Sequence, residues 1–301
     1  MFALKSSTLA LVLAVLGGSA LASAASAPGP DFPPLSPLVR ADLERRDPSE
    51  YELFHNEQRS GNVTTRAVIP GGITRCTTTK CFSFTFDDGP YNYHQKIADE
   101  IASIGTRATF FVNGNNYQCI YDDAAVAALK YSYNAGHQIC SHTWSHPDIE
   151  TISRARLDKE VQFIEDALYK ILGVVPACIR PPYGSASDAT IQYLNNKWGY
   201  NVVLWNADTK DADGAAVSFS LNQYRALKAP KHVIILNHET VPTTSSKVIP
   251  QALQIVQDNG YEPKYMGTVA QTIGFAPYKV IGKPGKRDST WTCAGKPLPG
   301  S

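Results

Sequence analysis

The stretch Thr85-Phe86-Asp87-Asp88-Gly89-Pro90 decides the fold. Ahead of it, Phe82, Phe84 and Phe86 alternate with Ser83 and Thr85, the period-two pattern of a β-strand. Gly89-Pro90 then forces the backbone to turn. Two adjacent carboxylates are therefore expected at a strand mouth. Open α/β folds and barrels gather catalytic groups there, because the strand holds side chains still while the following loop leaves room for a ligand. Neighbouring carboxylates repel one another unless a cation separates their roles, which points to a metal or a nearby arginine. Asp, Gly and Pro are also ordinary turn residues, so a plain surface turn is the competing reading of this stretch taken alone.

Outward from this point the chain alternates. Ile97, Ile101 and Ile104 recur at helical spacing up to Gly105, residues 109–112 read as a strand, 124–133 as a helix and 137–142 as a short strand. A helix over 154–172, a strand over 177–179, a helix over 189–198 and a strand over 200–204 follow. After these come a strand over 233–236 and helices over 248–257 and 266–273. Strand and helix in alternation predict a parallel sheet, and six or seven repeats predict an α/β barrel.

The 28 basic and 27 acidic residues nearly cancel, so nothing in the charge calls for a nucleic-acid partner; a neutral substrate fits better. Lys5, the apolar run 9–16 and the small residues Ala20, Ala22 and Ala24 have the order of a secretory signal peptide, assigned to residues 1–24. No later run is long enough to span a bilayer, so the mature chain is expected to be secreted, soluble and without a membrane anchor. Residues 25–73, rich in Pro, Ser and charge, read as a propeptide or flexible linker, with Arg45-Arg46 as a candidate processing site and Asn62-Val63-Thr64 as a glycan sequon. Residues 74–301 are left as the catalytic domain with a C-terminal extension. Six cysteines in an oxidising compartment favour disulfides. A Cys76–Cys293 bond joining the ends of the folded region is the first expectation, with Cys81, Cys140 and Cys178 as candidate buried thiols.

Three further strand ends carry chemistry. His142-Thr143-Trp144-Ser145-His146 puts two imidazoles four residues apart, on one side if a helical turn follows the strand. An Asp from the acidic turn would complete a two-histidine, one-carboxylate set with open positions, which suits zinc or another divalent metal activating water. In Arg180-Pro181-Pro182-Tyr183-Gly184 the prolines have no N–H, so Tyr183 offers the first backbone donor of a stiff turn, suited to an oxyanion. A rigid loop with a surface arginine is the plainer alternative. His238 ends a strand, where an imidazole serves as a general acid or simply as a core histidine; Asp208 and Asp211 are candidates to orient it or plain loop acids.

Taken in order, Thr-Phe-Asp-Asp-Gly-Pro, His-Thr-x-x-His, Arg-Pro-Pro-Tyr-Gly, Asp-x-x-Asp and Leu-x-His resemble the polysaccharide deacetylases of carbohydrate esterase family 4, above all the secreted fungal chitin deacetylases. The resemblance covers about residues 76–275. It implies a distorted (β/α) barrel of about seven parallel strands, one divalent metal (zinc, or cobalt), and hydrolysis of N-acetyl groups on a polymer or oligomer such as chitin by a monomer. It makes Asp87 the base, Asp88, His142 and His146 the metal ligands, and Arg180 the partner of Asp87. The Tyr183 N–H becomes the oxyanion donor and His238 the acid. Asp208 becomes the partner of His238, with Asp211 as fallback. Ala212 departs from the pattern, since an aromatic residue often stands there. The alternatives are an O-acetyl xylan esterase using the same site and a catalytically silent carbohydrate-binding protein.

Overall fold

A computed structural model describes residues 68–301 of the chain. The expected signal peptide, Arg45-Arg46, the Asn62 sequon and all but the last residues of the expected linker lie outside the described residues. Those last residues do not behave as a linker. Gly72–Ile73 form strand β1, which pairs in parallel with Val202 and Val203, and Ile73 is buried.

The remaining strands of the main sheet are β2 (Phe82–Gly89), β3 (Thr109–Val112), β4 (Gln138–Ser141), β6 (Cys178–Ile179), β7 (Asn201–Val203), β8 (Ala207–Asp208) and β9 (Val233–His238). Their spatial order is β1-β7-β6-β4-β3-β2-β9-β8, and every neighbouring pair is parallel. The sheet thus has eight strands where about seven are expected, three of them only two residues long. The single stretch 201–208 supplies both β7, beside β6 and β1, and β8, beside β9. It bridges the two sides of a sheet curled into a distorted barrel, and residues 204–206 are the seam. β5 (Val174–Pro176) and β10 (Tyr278–Ile281) form a separate antiparallel pair.

Among the described residues seven α-helices surround the sheet: α1 (His94–Ser103), α2 (Asp123–Asn134), α3 (Arg154–Leu172), α4 (Asp188–Trp198), α5 (Val217–Ala226), α6 (Ile249–Asp258) and α7 (Val269–Ile273). Helix α5 is not anticipated from the sequence. Its stretch is rich in Ser, Asn and Gln, and only Ser220, Leu221 and Tyr224 are buried on it, too narrow a stripe to read. Helix α7 is shorter than expected because Gly267 is held extended, its N–H donating to the Phe82 carbonyl.

The alternation in β2 sorts its side chains by face. Phe82, Phe84 and Phe86 point outward into the core shared with the helices, Phe82 and Phe84 lying 6.4 and 6.2 Å from the Tyr224 ring. Ser83, Thr85 and Asp87 point inward. The interior also holds Phe111, Val203, Ile234 and the Cys140–Cys178 disulfide between β4 and β6. Helix α7 closes the lower end. Its first N–H groups, of Val269 and Ala270, donate to Thr109 Oγ1 and Gln138 Oε1 at 2.9 and 3.0 Å, and Thr272 meets Ser83 at 2.6 Å.

The cysteine pairing differs from expectation. Cys76 bonds to Cys81 across a short turn, and Cys293 bonds to Cys119 because the C-terminal segment folds back over the loop that follows β3. Cys140 and Cys178 are not free thiols, since neighbouring strands turn both side chains inward. Among the described residues no helix is long and apolar enough to cross a membrane.

Phe84 is fully buried in mid-strand between Phe82 and the α5 ring of Tyr224. Phe84→Ala is expected to lower stability by about 3–5 kcal/mol, read as a reduced urea midpoint. A loss below about 1 kcal/mol would show that the outward face of β2 does not carry the core.

Candidate active site

Asp87, Asp88, His142, His146, Tyr183, Asp208 and His238 line one cleft of about 590 Å³ at the upper ends of the strands, and Arg180 and Asp211 are buried behind it, bonded to Asp87 and His238. Asp87 and Asp88 lie in the last residues of β2, Asp88 with a left-handed backbone (φ 75°), and both carboxylates approach the same ring nitrogen of His142. His142 follows β4. No helical turn brings His146 beside it. Thr143 and His146 are both left-handed (φ 70° and 58°), and the His146 N–H donates to Thr143 Oγ1 at 3.2 Å. The expected proximity is reached by a strained loop, with ring centroids 4.9 Å apart.

Asp88, His142 and His146 offer ligand atoms that all lie within 4.8 Å of one another. His146 Nε2 is 3.2 Å and His142 Nε2 3.6 Å from Asp88 Oδ1. His142 donates its Nδ1–H to the Arg180 carbonyl at 2.7 Å, which fixes the ring and leaves Nε2 facing Asp88. Burial, and for His146 also the neighbouring His142 ring, pushes both histidines down to about 3, so both are neutral imidazoles, the form that binds metals. Burial, together with Asp87, Glu239 and Asp211, pushes the Asp88 carboxyl up to about 7 against the pull of His238. Its Oδ1 is buried and accepts no hydrogen bond. A buried carboxylate oxygen without a donor, aimed at two neutral imidazole nitrogens, fits a divalent cation.

Asp87 is handled differently. Arg180, fully buried, donates from Nη1 to Asp87 Oδ1 at 2.8 Å and to Thr85 Oγ1 at 2.9 Å. Its Nε and Nη2 donate to the carbonyls of Val203 and Leu204, at 3.1 and 3.0 Å. Burial raises the Asp87 carboxyl while Arg180 and His238 oppose it. Asp87 Oδ2 is left 3.7 Å from His142 Nε2, on the side of the Asp88–His142–His146 trio.

Pro181 and Pro182 give their carbonyls to the N–H groups of Gly184 and Ser185, so the turn does not use the Tyr183 N–H. Tyr183 is left-handed (φ 60°), and its ring meets the His146 ring edge-on at 4.7 Å.

The partner of His238 is Asp211 and not Asp208. Asp211 Oδ1 accepts from His238 Nδ1 at 2.7 Å, while its Oδ2 accepts from the His238 N–H at 2.8 Å and from Thr244 Oγ1 at 2.6 Å. Asp208 binds Lys210 instead, through the Lys210 N–H at 2.8 Å and the ammonium at 3.0 Å. The left-handed Lys210 (φ 56°) between them reverses the chain and turns the second acid, not the first, toward the end of β9. Although burial opposes it, the bonds from His238 and Thr244 keep Asp211 below the usual carboxylate range. Burial lowers the His238 imidazole, but Asp211, Asp87 and Asp88 outweigh it and bring it up to about 9.

Sequence reasoning missed the walls of the cleft. Asn116, Tyr117, Trp205 and Lys210 line it beside Asp208 and Ala212. Trp205 stands at the seam, where no periodicity exists to mark it. Asn113 was also missed, although it follows a strand end; its Nδ2 donates to the carbonyls of His142 and Thr143 at 2.5 and 3.1 Å.

A polysaccharide deacetylase family model matches residues 74–203. A chitin deacetylase of Pestalotiopsis sp is 35% identical over 204 residues, covering 66% of this chain and 67% of that protein. A chitin deacetylase of Colletotrichum lindemuthianum is 31% identical over 222 residues, covering 70% of this chain and 88% of that protein. The solved structure of the chitin deacetylase from the fungal pathogen Colletotrichum lindemuthianum matches with a TM-score of 0.66 at 29% identity, over 70% of this chain and 97% of that one. The motifs, the curled parallel sheet and these relatives agree, and the chain belongs to the polysaccharide deacetylase family.

Proposed function

We propose that this chain is a metal-dependent hydrolase that removes N-acetyl groups from chitin or chitin oligomers and releases acetate. The observation that carries the reading is the convergence on one cleft of an Asp-His-His trio, a carboxylate held by a buried guanidinium, and an imidazole held charged by its own carboxylate. The chitin deacetylases among its relatives support the substrate class.

Asp88, His142 and His146 would hold one divalent ion. Zinc suits two imidazoles and a carboxylate with open positions, and cobalt is the alternative. A cation there supplies Lewis-acid polarisation. Asp87 takes a proton from the attacking water through Oδ2, while Arg180 occupies Oδ1 and fixes the carboxylate plane. The Tyr183 N–H donates to the oxyanion that forms on the acetyl carbon. His238, bound through Nδ1 to Asp211, delivers the Nε2 proton to the sugar nitrogen as the C–N bond breaks, leaving a free amine and acetate. Three disulfides support an oxidising compartment, and with it secretion after cleavage of the 1–24 segment; a glycan on Asn62 and action as a monomer belong to the same proposal on the sequence alone. Acetate release from chitin oligomers by the zinc-loaded protein tests the reading, and release from acetylated xylan alone would overturn it.

Asp88→Asn should lose the metal, read by elemental analysis after dialysis against chelator, because a neutral amide replaces the anionic ligand. Asp87→Asn should keep the metal one-to-one and lose turnover by about 10²–10⁴-fold. Swapped outcomes would exchange the roles of the two acids.

The pH profile follows from His238. An imidazole held at about 9 keeps its proton through neutral pH, so kcat/KM should fall only as pH rises through about 9. Asp211→Asn removes the charge that raises it and should move this alkaline limb toward lower pH. A limb left in place would mean that another group sets it.

An amine is a poorer leaving group than a phenol. His238→Ala is therefore expected to damage deacetylation of chitin oligomers far more than hydrolysis of an activated aryl acetate, at equal metal content. Equal losses on both substrates would reduce His238 to packing or binding.

A further inference from the structure

The loop that carries His142 and His146 is neither strand nor helix, and two of its residues are left-handed, so its shape must be imposed from outside. Part of that support comes from the C-terminal segment, beyond the region matched by the family model. Trp144, midway between the two histidines, is fully buried, and its Nε1–H donates to the Pro297 carbonyl at 3.2 Å. The same carbonyl accepts from Asn115 Nδ2 at 2.9 Å, in the loop whose next residues, Asn116 and Tyr117, line the cleft. The Gly300 N–H donates to the Ser145 carbonyl at 2.7 Å. The Lys296 ammonium lies 5.0 Å from the Tyr121 and Trp144 rings. Cys293 is bonded to Cys119 at the end of the Asn115 loop. The two loops are themselves locked together. The Trp144 carbonyl accepts the N–H groups of Gly114 and Asn115, and a Cβ on Gly114 would come within 1.9 Å of the Trp144 ring.

We propose that residues 291–301 are a positioning strap for the metal ligands: through the Pro297 carbonyl and the Gly300 N–H they hold the 142–146 loop in its left-handed form, and the Cys119–Cys293 bond latches the strap to the cleft wall. The proposal rests on the metal-site reading above. Its consequence is that metal affinity depends on residues that touch neither metal nor substrate. Outer partners of metal ligands typically change metal affinity by about 10–100-fold when removed. Releasing the strap should do the same, because the free loop would relax out of its left-handed form and a cation would have to restore it.

The test is zinc affinity of the full chain, measured by competition with a chromophoric chelator, with circular dichroism on each sample. Cys119→Ser/Cys293→Ser is expected to weaken zinc about 10–100-fold, with most of kcat recovered at saturating zinc. Cys76→Ser/Cys81→Ser, which removes a disulfide remote from the loop, should bind zinc as the wild type does. Trp144→Phe, which keeps an aromatic ring but removes the donor to Pro297 and part of the indole's buried packing, should weaken zinc several-fold with circular dichroism unchanged, and it decides the matter if the unlatched variant does not fold. Wild-type zinc constants in both the unlatched variant and Trp144→Phe would overturn the strap while leaving the metal site standing. Equal weakening in the Cys76/Cys81 control would overturn it by showing a general loss of stability. A wild-type chain that binds no zinc would overturn the metal-site reading and the strap with it.

Discussion

The buried guanidinium of Arg180 is the constraint on which the rest of the structure depends. Where the parallel sheet curls until one stretch of chain serves both sides, Arg180 donates to the carbonyls of Val203, the last residue of β7, and of Leu204, the first residue of the seam. The same plane binds Thr85 and Asp87 on β2 and lies over the Phe111 ring at 4.1 Å. Its own carbonyl aims His142. A charge in such surroundings is tolerable only when it is fully paired, and removing one partner of a buried pair typically costs about 3–5 kcal/mol. Closure of the barrel and orientation of the Asp87 carboxylate are thus satisfied by one side chain, and neither can shift without the other.

Around it the site is an arrangement of charges that remain unbalanced in protein alone. Asp88 sits among acids and neutral imidazoles, and its burial favours the protonated acid. Asp211 and His238, a few residues away, satisfy one another, with Thr244 taking the spare oxygen. The contrast explains how similar residue types serve different ends. One carboxylate is left short of positive charge, which invites a cation, while the other holds a proton in place on its neighbour.

Much of this was legible in the sequence. The Phe82-Phe84-Phe86 alternation marked both the strand and the face that carries Asp87, and the histidine spacing suggested a ligand pair that the family resemblance completed with Asp88. What could not be read were features set by backbone conformation at single residues. The choice between Asp208 and Asp211 turns on the left-handed Lys210, and nothing in the residue types of Asp-Thr-Lys-Asp announces it. The histidine pair meets through left-handed Thr143 and His146 where a helical turn was the simpler expectation. The disulfides escaped for a related reason: cysteine pairing follows how the chain returns in space, and Cys293 comes back to Cys119 along a segment with no periodicity of its own. Strands β1 and β8 are two residues long, too short for any pattern to declare.

The plug formed by α7 has a bearing on traffic. With the lower end sealed by the Val269 and Ala270 amides on Thr109 and Gln138, and the interior filled by Phe111, Arg180 and the Cys140–Cys178 bond, the barrel formed by the described residues opens at the cleft mouth and is filled behind it. For a polymer lying across the cleft, that mouth also serves acetate departing and water arriving.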